Sequence, residues 1–197
     1  MPKKWQWQVY RFGRFLTRGS GFAIGVKLKK LLLVNEAGSE VLTKMDDIPT
    51  LRRILQESHV IAMVGLSANW YRPSYFAAKY MLDHGYRVIP VNPSYQEVLG
   101  QKCYPALRAI PEKVDIVDCF RKSEEIMPLA EDAIAIGARV LWMQIGVINE
   151  AAAGKARTAG LDVVMDRCVK IEYARLFGGL NWAGVNTGVI SARRPAA

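Results

Sequence analysis

The residues best placed to do chemistry lie in one stretch, Gly65-Leu66-Ser67-Ala68-Asn69-Trp70-Tyr71-Arg72-Pro73-Ser74. Gly65 lets backbone approach a bulky anion, and Ser67 and Ser74 offer hydroxyl donors. Arg72 can pair with a phosphate through two parallel N–H groups. A helix starting near Pro73 would add unpaired N–H donors and a partial positive charge. The same stretch also reads as an ordinary strand-to-helix loop with a capping serine. Two histidines and three cysteines complete the reactive inventory. His59 opens an apolar run, and His84 precedes Gly85 at the end of a helical pattern, so both read as structural. Cys119 sits inside an apolar strand and reads as a core thiol. Cys168, beside Arg167 and near Lys170, has the most electropositive neighbours and is the best-placed thiol of the three, with Cys103 the third. A mixed disulfide between Cys168 and a thiol ligand is chemically reasonable. Asp115, Asp118 and Asp166 are dispersed, without the spacing of a metal site, so no catalytic residue and no metal ligand is assigned.

These residues need a scaffold, and the hydrophobic pattern supplies one. Ile48, Leu51, Ile54 and Leu55 have helical spacing over Ile48–Glu57. The run His59–Val64 is short, apolar and closed by Gly65, as expected of a strand buried on both faces. A helix follows over about Ser74–Asp83, with Pro73 at its start and Gly85 as its C-terminal cap. The alternation continues with strand Tyr86–Val91 and a turn at Asn92-Pro93-Ser94. Cys103–Leu107 reads as a short edge strand or merely an extended piece. Then come strand Val114–Phe120, helix Ser123–Ile136, strand Arg139–Gln144, helix Asn149–Ala159 and strand Leu161–Met165. Strands separated by ten to fifteen helical residues imply right-handed crossovers and a parallel sheet. The fold class is therefore α/β, a doubly wound parallel sheet with helices on both faces.

Ligands of such sheets bind beyond the carboxyl ends of the strands. That directs attention to Gly65–Ser74, Asn92–Tyr95, Phe120–Arg121, Gln144–Gly146 and Asp166–Lys170. The first loop has neither the G-x-G-x-x-G of a dinucleotide site nor a P-loop. The second strand ends in Asn92-Pro93, where an NAD site places the carboxylate that binds the ribose diol. Hydride transfer is therefore disfavoured.

Five segments then carry a resemblance: VIAMVGLSANWYRPSYFAAKYML, GYRVIPVNPSYQEVLGQKCYPAL, IPEKVDIVDCFR, WMQIGVINEAAA and AGLDVVMDRCVKIEY. Together they resemble the small bacterial CoA-binding proteins, whose fold is similar to the CoA-binding domain of the succinyl-CoA synthetase α subunit. The match runs from about Asp46 to at least Tyr173, and the tail GLNWAGVNTGVIS is also family-like. The resemblance implies a Rossmann-type fold of strand order 3-2-1-4-5-6, the third strand short, that binds coenzyme A or an acyl-CoA. It implies that Gly65, Leu66, Ser67, Ala68, Arg72, Pro73 and Ser74 hold the pyrophosphate. Val91, Asn92 and Pro93 would face the adenosine or its ribose phosphate. Cys119, Phe120 and Arg121 would line the pantetheine side, with Gln144, Gly146 and Asn149 at the next strand exit. It implies no particular reaction. The synthetase's phosphorylated histidine lies in a separate domain, so the expected role is that of a sensor, carrier or regulatory module. An enzyme acting on a CoA thioester or a dinucleotide in the same crevice is the alternative.

Charge and composition narrow the remaining classes. Of 197 residues 51% are apolar, enough for a buried core, and three cysteines without a C-x-x-C pair fit a reducing, cytoplasmic setting. No apolar run reaches the roughly 18 to 20 residues that span a bilayer. The formal net charge is +9, but residues 1–30 hold eight basic groups and no acid, leaving 19 basic against 18 acidic residues. The basic character thus belongs to an N-terminal extension, residues 1–44, and no nucleic-acid partner is expected for the body, residues 45–197. Three readings of the extension stay open: an organelle-targeting segment, a binder of anionic membrane or nucleic acid, and a poorly ordered extension ahead of an original start at Met45. A protein partner or homo-oligomer is left open as well.

Overall fold

The computed structural model describes residues 48–178, together with the backbone of residues 33–34 and 40–41. The basic residues of the extension and the tail from residue 179 lie outside the described residues, and with them the readings attached to both. By its internal contacts the chain divides into two units, Met1–Thr43 and Lys44–Ala197. In the first, β1 (Leu33–Val34) pairs antiparallel with β2 (Glu40–Val41), a ladder that the hydrophobic pattern did not suggest.

The second unit opens with α1 (Ile48–Glu57), where the 3.6-residue period buries Leu51, Ile54 and Leu55. The alternation then runs β3 (Val60–Val64), α2 (Pro73–Asp83), β4 (Arg87–Val91), β5 (Glu97–Val98), β6 (Gln101–Lys102) and β7 (Ile116–Cys119). It continues with α3 (Ile126–Ala135), β8 (Val140–Met143), α4 (Glu150–Thr158), β9 (Asp162–Val164) and α5 (Val169–Phe177). Five strands form one parallel sheet in the order β4-β3-β7-β8-β9. Its strands are apolar on both faces, as a sheet covered twice requires. Ile61, Met63, Ile116, Trp142 and Val164 meet α1, α2 and α5 on one face. Ala62, Val64, Val117, Cys119, Leu141 and Met143 meet the alanine-rich faces of α3 and α4 on the other. This is a Rossmann-like α/β fold. Among the described residues no helix is long and apolar enough to cross a membrane.

Three features depart from the sequence expectation. The proposed third strand is reduced to a single parallel bridge between Val91 and Tyr104, so the sheet has five strands and begins at β4. The Tyr104 N–H donates to the Pro90 carbonyl and the Asn92 N–H to the Tyr104 carbonyl, both at 2.9 Å. Pro105 follows with no N–H to give, and the ladder stops there. Between β4 and this bridge lies an unforeseen hairpin, β5–β6, whose turn residues Leu99 and Gly100 both have positive φ (55° and 71°). Finally, the loop expected over Asp166–Lys170 ends early, because α5 begins at Val169. That helix was missed because its buried face carries charge: Glu172 and Arg175 pair with one another inside it, and Arg167 joins Glu172 at 3.1 Å.

Candidate functional site

The chain leaves β3 at Gly65 with φ 83°, and its N–H donates to the Val91 carbonyl at 2.9 Å. A Cβ here would stand 2.5 Å from the Phe120 carbonyl oxygen and 2.9 Å from Arg121 Cδ. Glycine is thus required by the close passage of the β7 exit, whatever anion also approaches it. The next residues fold the loop on itself. The Asn69 N–H donates to Ser67 Oγ at 3.1 Å and the Tyr71 N–H to Asn69 Oδ1 at 3.0 Å, while Ser74 Oγ accepts from the Ser67 N–H at 3.2 Å. Arg72 is the N-cap of α2 in extended conformation, Pro73 follows it, and no side chain caps the helix. The N-terminus of α2 is therefore open, and the exposed Arg72 side chain has no ionic partner among the described residues.

Asn92, at the end of β4, clips this loop in place. Its Nδ2 donates to the Leu66 carbonyl at 2.9 Å and its Oδ1 accepts from the Ser94 N–H at 3.0 Å. Two pockets flank the Gly65 corner. One, of about 240 Å³, is lined by Gly65, Val91, Asn92, Pro93, Pro105–Leu107, Arg121, Glu125, Leu129 and Asp132, with Val64 at its base. The other, of about 850 Å³, is lined by Gly65, Ser67, Tyr71–Ala77 apart from Tyr75, Phe120, Gln144, Ile145, Val147, Cys168, Lys170 and Ile171. The crevice expected beyond the strand ends is present, and Gly65 belongs to both halves.

Of the residues singled out in sequence, Leu66 and Cys119 are buried in the core, and with Ala68 and Gly146 they line neither pocket. Gly146 instead donates its N–H to Asp166 Oδ1 at 2.7 Å, joining two loops, and Asn149 caps α4 by accepting from the Ala152 N–H. The consecutive Phe120 and Arg121 point apart, Phe120 into the larger pocket and Arg121 into the smaller. Arg121 already pairs with Glu125 at 2.5 Å. Tyr71 and Ile145 lie within the segments expected to border the crevice, whereas Phe76, Val147 and Ile171 were not anticipated, nor were Glu125, Leu129 and Asp132. The last three, the α3 N-cap Glu125 with Leu129 and Asp132 on the helix itself, stand four and three residues apart, a one-face spacing visible in the sequence once α3 is known to border the crevice.

Behind the larger pocket is a buried carboxyl. Asp118 stands between Met63 and Trp142 in the strand register, fully buried on the sheet face that carries α5. Its Oδ1 accepts from Gln144 Nε2 at 2.7 Å, and its Oδ2 has no partner among the described residues. Burial pushes its pKa up from 3.8 to about 7, against the opposing pull of the Gln144 bond. A lone aspartate within an apolar strand of a doubly covered sheet was the available signal, since Asp115 precedes that strand. Asp115 serves the far end, where its Oδ2 accepts from the N–H groups of His59 and Val60. Cys168 lines the large pocket at the start of α5, and burial pushes its thiol up, despite N–H donation from Ile171 and Lys170. His59 and His84 share a separate recess of about 220 Å³ at the opposite end of the sheet, away from the crevice. His84 donates from Nδ1 to the Tyr80 carbonyl at 2.7 Å and stacks on the Tyr80 ring.

Known proteins are similar in sequence and fold. The chain is 42% identical over 124 residues to the Bacillus subtilis (strain 168) protein YneT, an alignment covering 63% of this chain and 92% of YneT. A hypothetical protein from Pyrococcus horikoshii OT3 superimposes with a TM-score of 0.66 at 45% identity, over 67% of this chain and 93% of that one. The dinucleotide-forming acetyl-coenzyme A synthetase 1 of Ca. Korarchaeum cryptofilum, in complex with phosphate and ADP, superimposes at 0.52 and 25% identity. That match covers 59% of this chain but 27% of the synthetase. Residues 59–174, which contain every strand of the main sheet and both halves of the crevice, match the CoA binding domain model, and the chain belongs to that family.

Proposed function

We propose that the crevice holds coenzyme A or an acyl-CoA, and that the domain works as a sensor, carrier or regulatory module. The observation that carries this reading is the meeting of two unlike pockets at Gly65, with the open N-terminus of α2 and the unpaired Arg72 on the larger side. Coenzyme A asks for that sequence of surroundings: a pocket for the adenosine, donors for the diphosphate, and a longer channel for the pantetheine arm. Ser67, Arg72, Ser74 and the first turn of α2 would hold the diphosphate. Val91, Asn92 and Pro93 would border the adenosine, and Phe120 and Gln144 the pantetheine. Asn92, already committed to Leu66 and Ser94, supplies no carboxylate for the ribose diol of NAD.

Holding rather than transforming is favoured by the state of the reactive groups. The Cys168 thiol is raised above its ordinary range, so it stands protonated at neutral pH, and both histidines lie at the wrong end of the sheet. A second reading, acyl transfer from a CoA thioester, draws on the presence of Cys168 in the cavity beside Gln144. Mass spectrometry after incubation with acetyl-CoA would show an acetylated Cys168 if that reading holds.

Calorimetric titration with CoA, dephospho-CoA, NAD and NADP tests the main reading. CoA should bind more tightly than NAD, and Arg72→Ala should weaken CoA by about 1.5–3 kcal/mol, roughly 10- to 150-fold. Tight NAD binding together with equal affinity for CoA and dephospho-CoA would move the assignment to a dinucleotide enzyme.

A further inference from the structure

The larger pocket has more apolar wall than a free pantetheine thiol needs. Beyond the phosphate-facing residues its lining is Phe76, Ala77, Phe120, Ile145, Val147 and Ile171, with Gln144 and Cys168 as the polar interruptions. Its volume of about 850 Å³ stands near the upper end of the roughly 300–1,000 Å³ that encloses a whole drug-sized ligand. Of the five exposed large apolar side chains among the described residues, all but Ile48 belong to segments that border this pocket. Trp70 (56% exposed), Tyr71 (71%) and Phe76 (47%) belong to the loop and helix of its rim, and Ile148 (46%) directly follows the lining residue Val147. Trp70 and Tyr71 contact one another with ring centroids 3.8 Å apart. Clustered exposure of this kind marks a surface that meets an apolar partner.

The charges define that partner further. Arg72 and Lys170 line this pocket, and among the described residues no carboxylate does. Two cations at the rim and an apolar interior complement one molecule with an anionic head and a greasy tail. We propose that the cavity takes the acyl group of a coenzyme A thioester, and that the preferred acyl group is apolar and longer than acetyl. This rests on coenzyme A occupying the crevice: the head is held at Ser67, Arg72 and Ser74, and the thioester end then extends along Phe120 and Gln144 toward Ile145 and Ile171. A thioester carbonyl arriving there meets the amide of Gln144, whose Nε2 is oriented by the buried Asp118.

The test is a binding series on the full chain with free CoA, acetyl-CoA, butyryl-CoA and octanoyl-CoA, and with octanoate alone. Affinity should climb from acetyl to octanoyl by up to about fourfold for each methylene that becomes buried. Octanoate alone should bind at least a hundredfold more weakly than octanoyl-CoA. In Phe76→Ala the octanoyl-to-acetyl affinity ratio should fall severalfold, a comparison within one variant that does not depend on its stability. An acyl series that is flat while CoA still binds overturns the proposal, and so does octanoate binding as well as its thioester. Failure of every CoA species to bind overturns the parent reading instead.

Discussion

The two halves of the crevice share Gly65 and the same sheet, yet their electrostatics are opposed. On the larger side Arg72 and Lys170 face no carboxylate among the described residues. On the smaller side Arg121 pairs with Glu125, and Asp132 is paired by Arg108 at 2.5 Å. The charges of the smaller pocket are thus paired, whereas on the larger side Arg72 has no ionic partner among the described residues and the Lys170 ammonium lies over the Tyr80 ring, 5.9 Å from its centroid. The difference arises from which helices border each half. The smaller is walled by α3, whose inward face carries acids, and the larger by the open start of α2 and by α5, which brings Lys170 from the far end of the domain. On the proposed reading, this charge difference would orient coenzyme A with its diphosphate toward the larger side.

Gly65→Ala should break the comparison altogether, because it pushes a methyl into the corner that both pockets share. The left-handed backbone and the 2.5 Å approach to the Phe120 carbonyl together predict a loss of about 2–5 kcal/mol in stability, read from the denaturant midpoint. A midpoint unchanged by this substitution would show that the corner is not rigid. Asp118→Asn acts on the larger side only. Between 3.8, its ordinary pKa, and about 7 the folded state keeps the Asp118 proton and the unfolded chain does not. Stability should therefore fall as pH rises through that window, by at most about 1.4 kcal/mol per pH unit, and level off above it. The asparagine variant retains an acceptor for Gln144 and should lack this slope. Denaturant midpoints for the two proteins at pH 4, 5.5 and 7 check it, and parallel curves would refute the raised carboxyl. Arg121→Ala sharpens the comparison from the smaller side. Its ion pair with Glu125 is about half exposed, so the stability change should stay under about 0.5 kcal/mol. Its effect on CoA affinity should fall well below that of Arg72→Ala. A larger effect would place the phosphates on the smaller side.

Much of the framework was readable because it rests on local periodicity. The period of 3.6 over Ile48–Glu57 and the short β-branched runs ending at glycine or Asn92 correspond to α1, β3 and β4 to within a residue. The Gly65–Ser74 loop, which borders the crevice, was readable because its residues are contiguous. The elements that escaped are those where a tertiary partner overrules the local pattern. β5–β6 depends on Leu99 accepting a positive φ, which no leucine advertises. The helix α5 buries Glu172 against Arg175, so its charged positions look like surface until the partner is seen. Of the two readings of Cys103–Leu107, a short edge strand or an extended piece, the structure has the second, a single bridge at Tyr104 that Pro105 ends.

What the sequence by itself determined is the α/β alternation, the loop chemistry of Gly65, Ser67, Arg72 and Ser74, and the family to which those blocks point. Hydrophobic burial and glycine or proline geometry act over a few residues, so they leave their mark in neighbouring letters. Only the tertiary structure decided that Phe120 and Arg121 part into different pockets, that Lys170 and Ile171 join a loop a hundred residues earlier, and that Asp118 is left with an oxygen unpartnered among the described residues. Those outcomes depend on strand register and on which helix covers which face. Such properties belong to the packed sheet as a whole, because a side chain's surroundings there are supplied by segments far away in the chain.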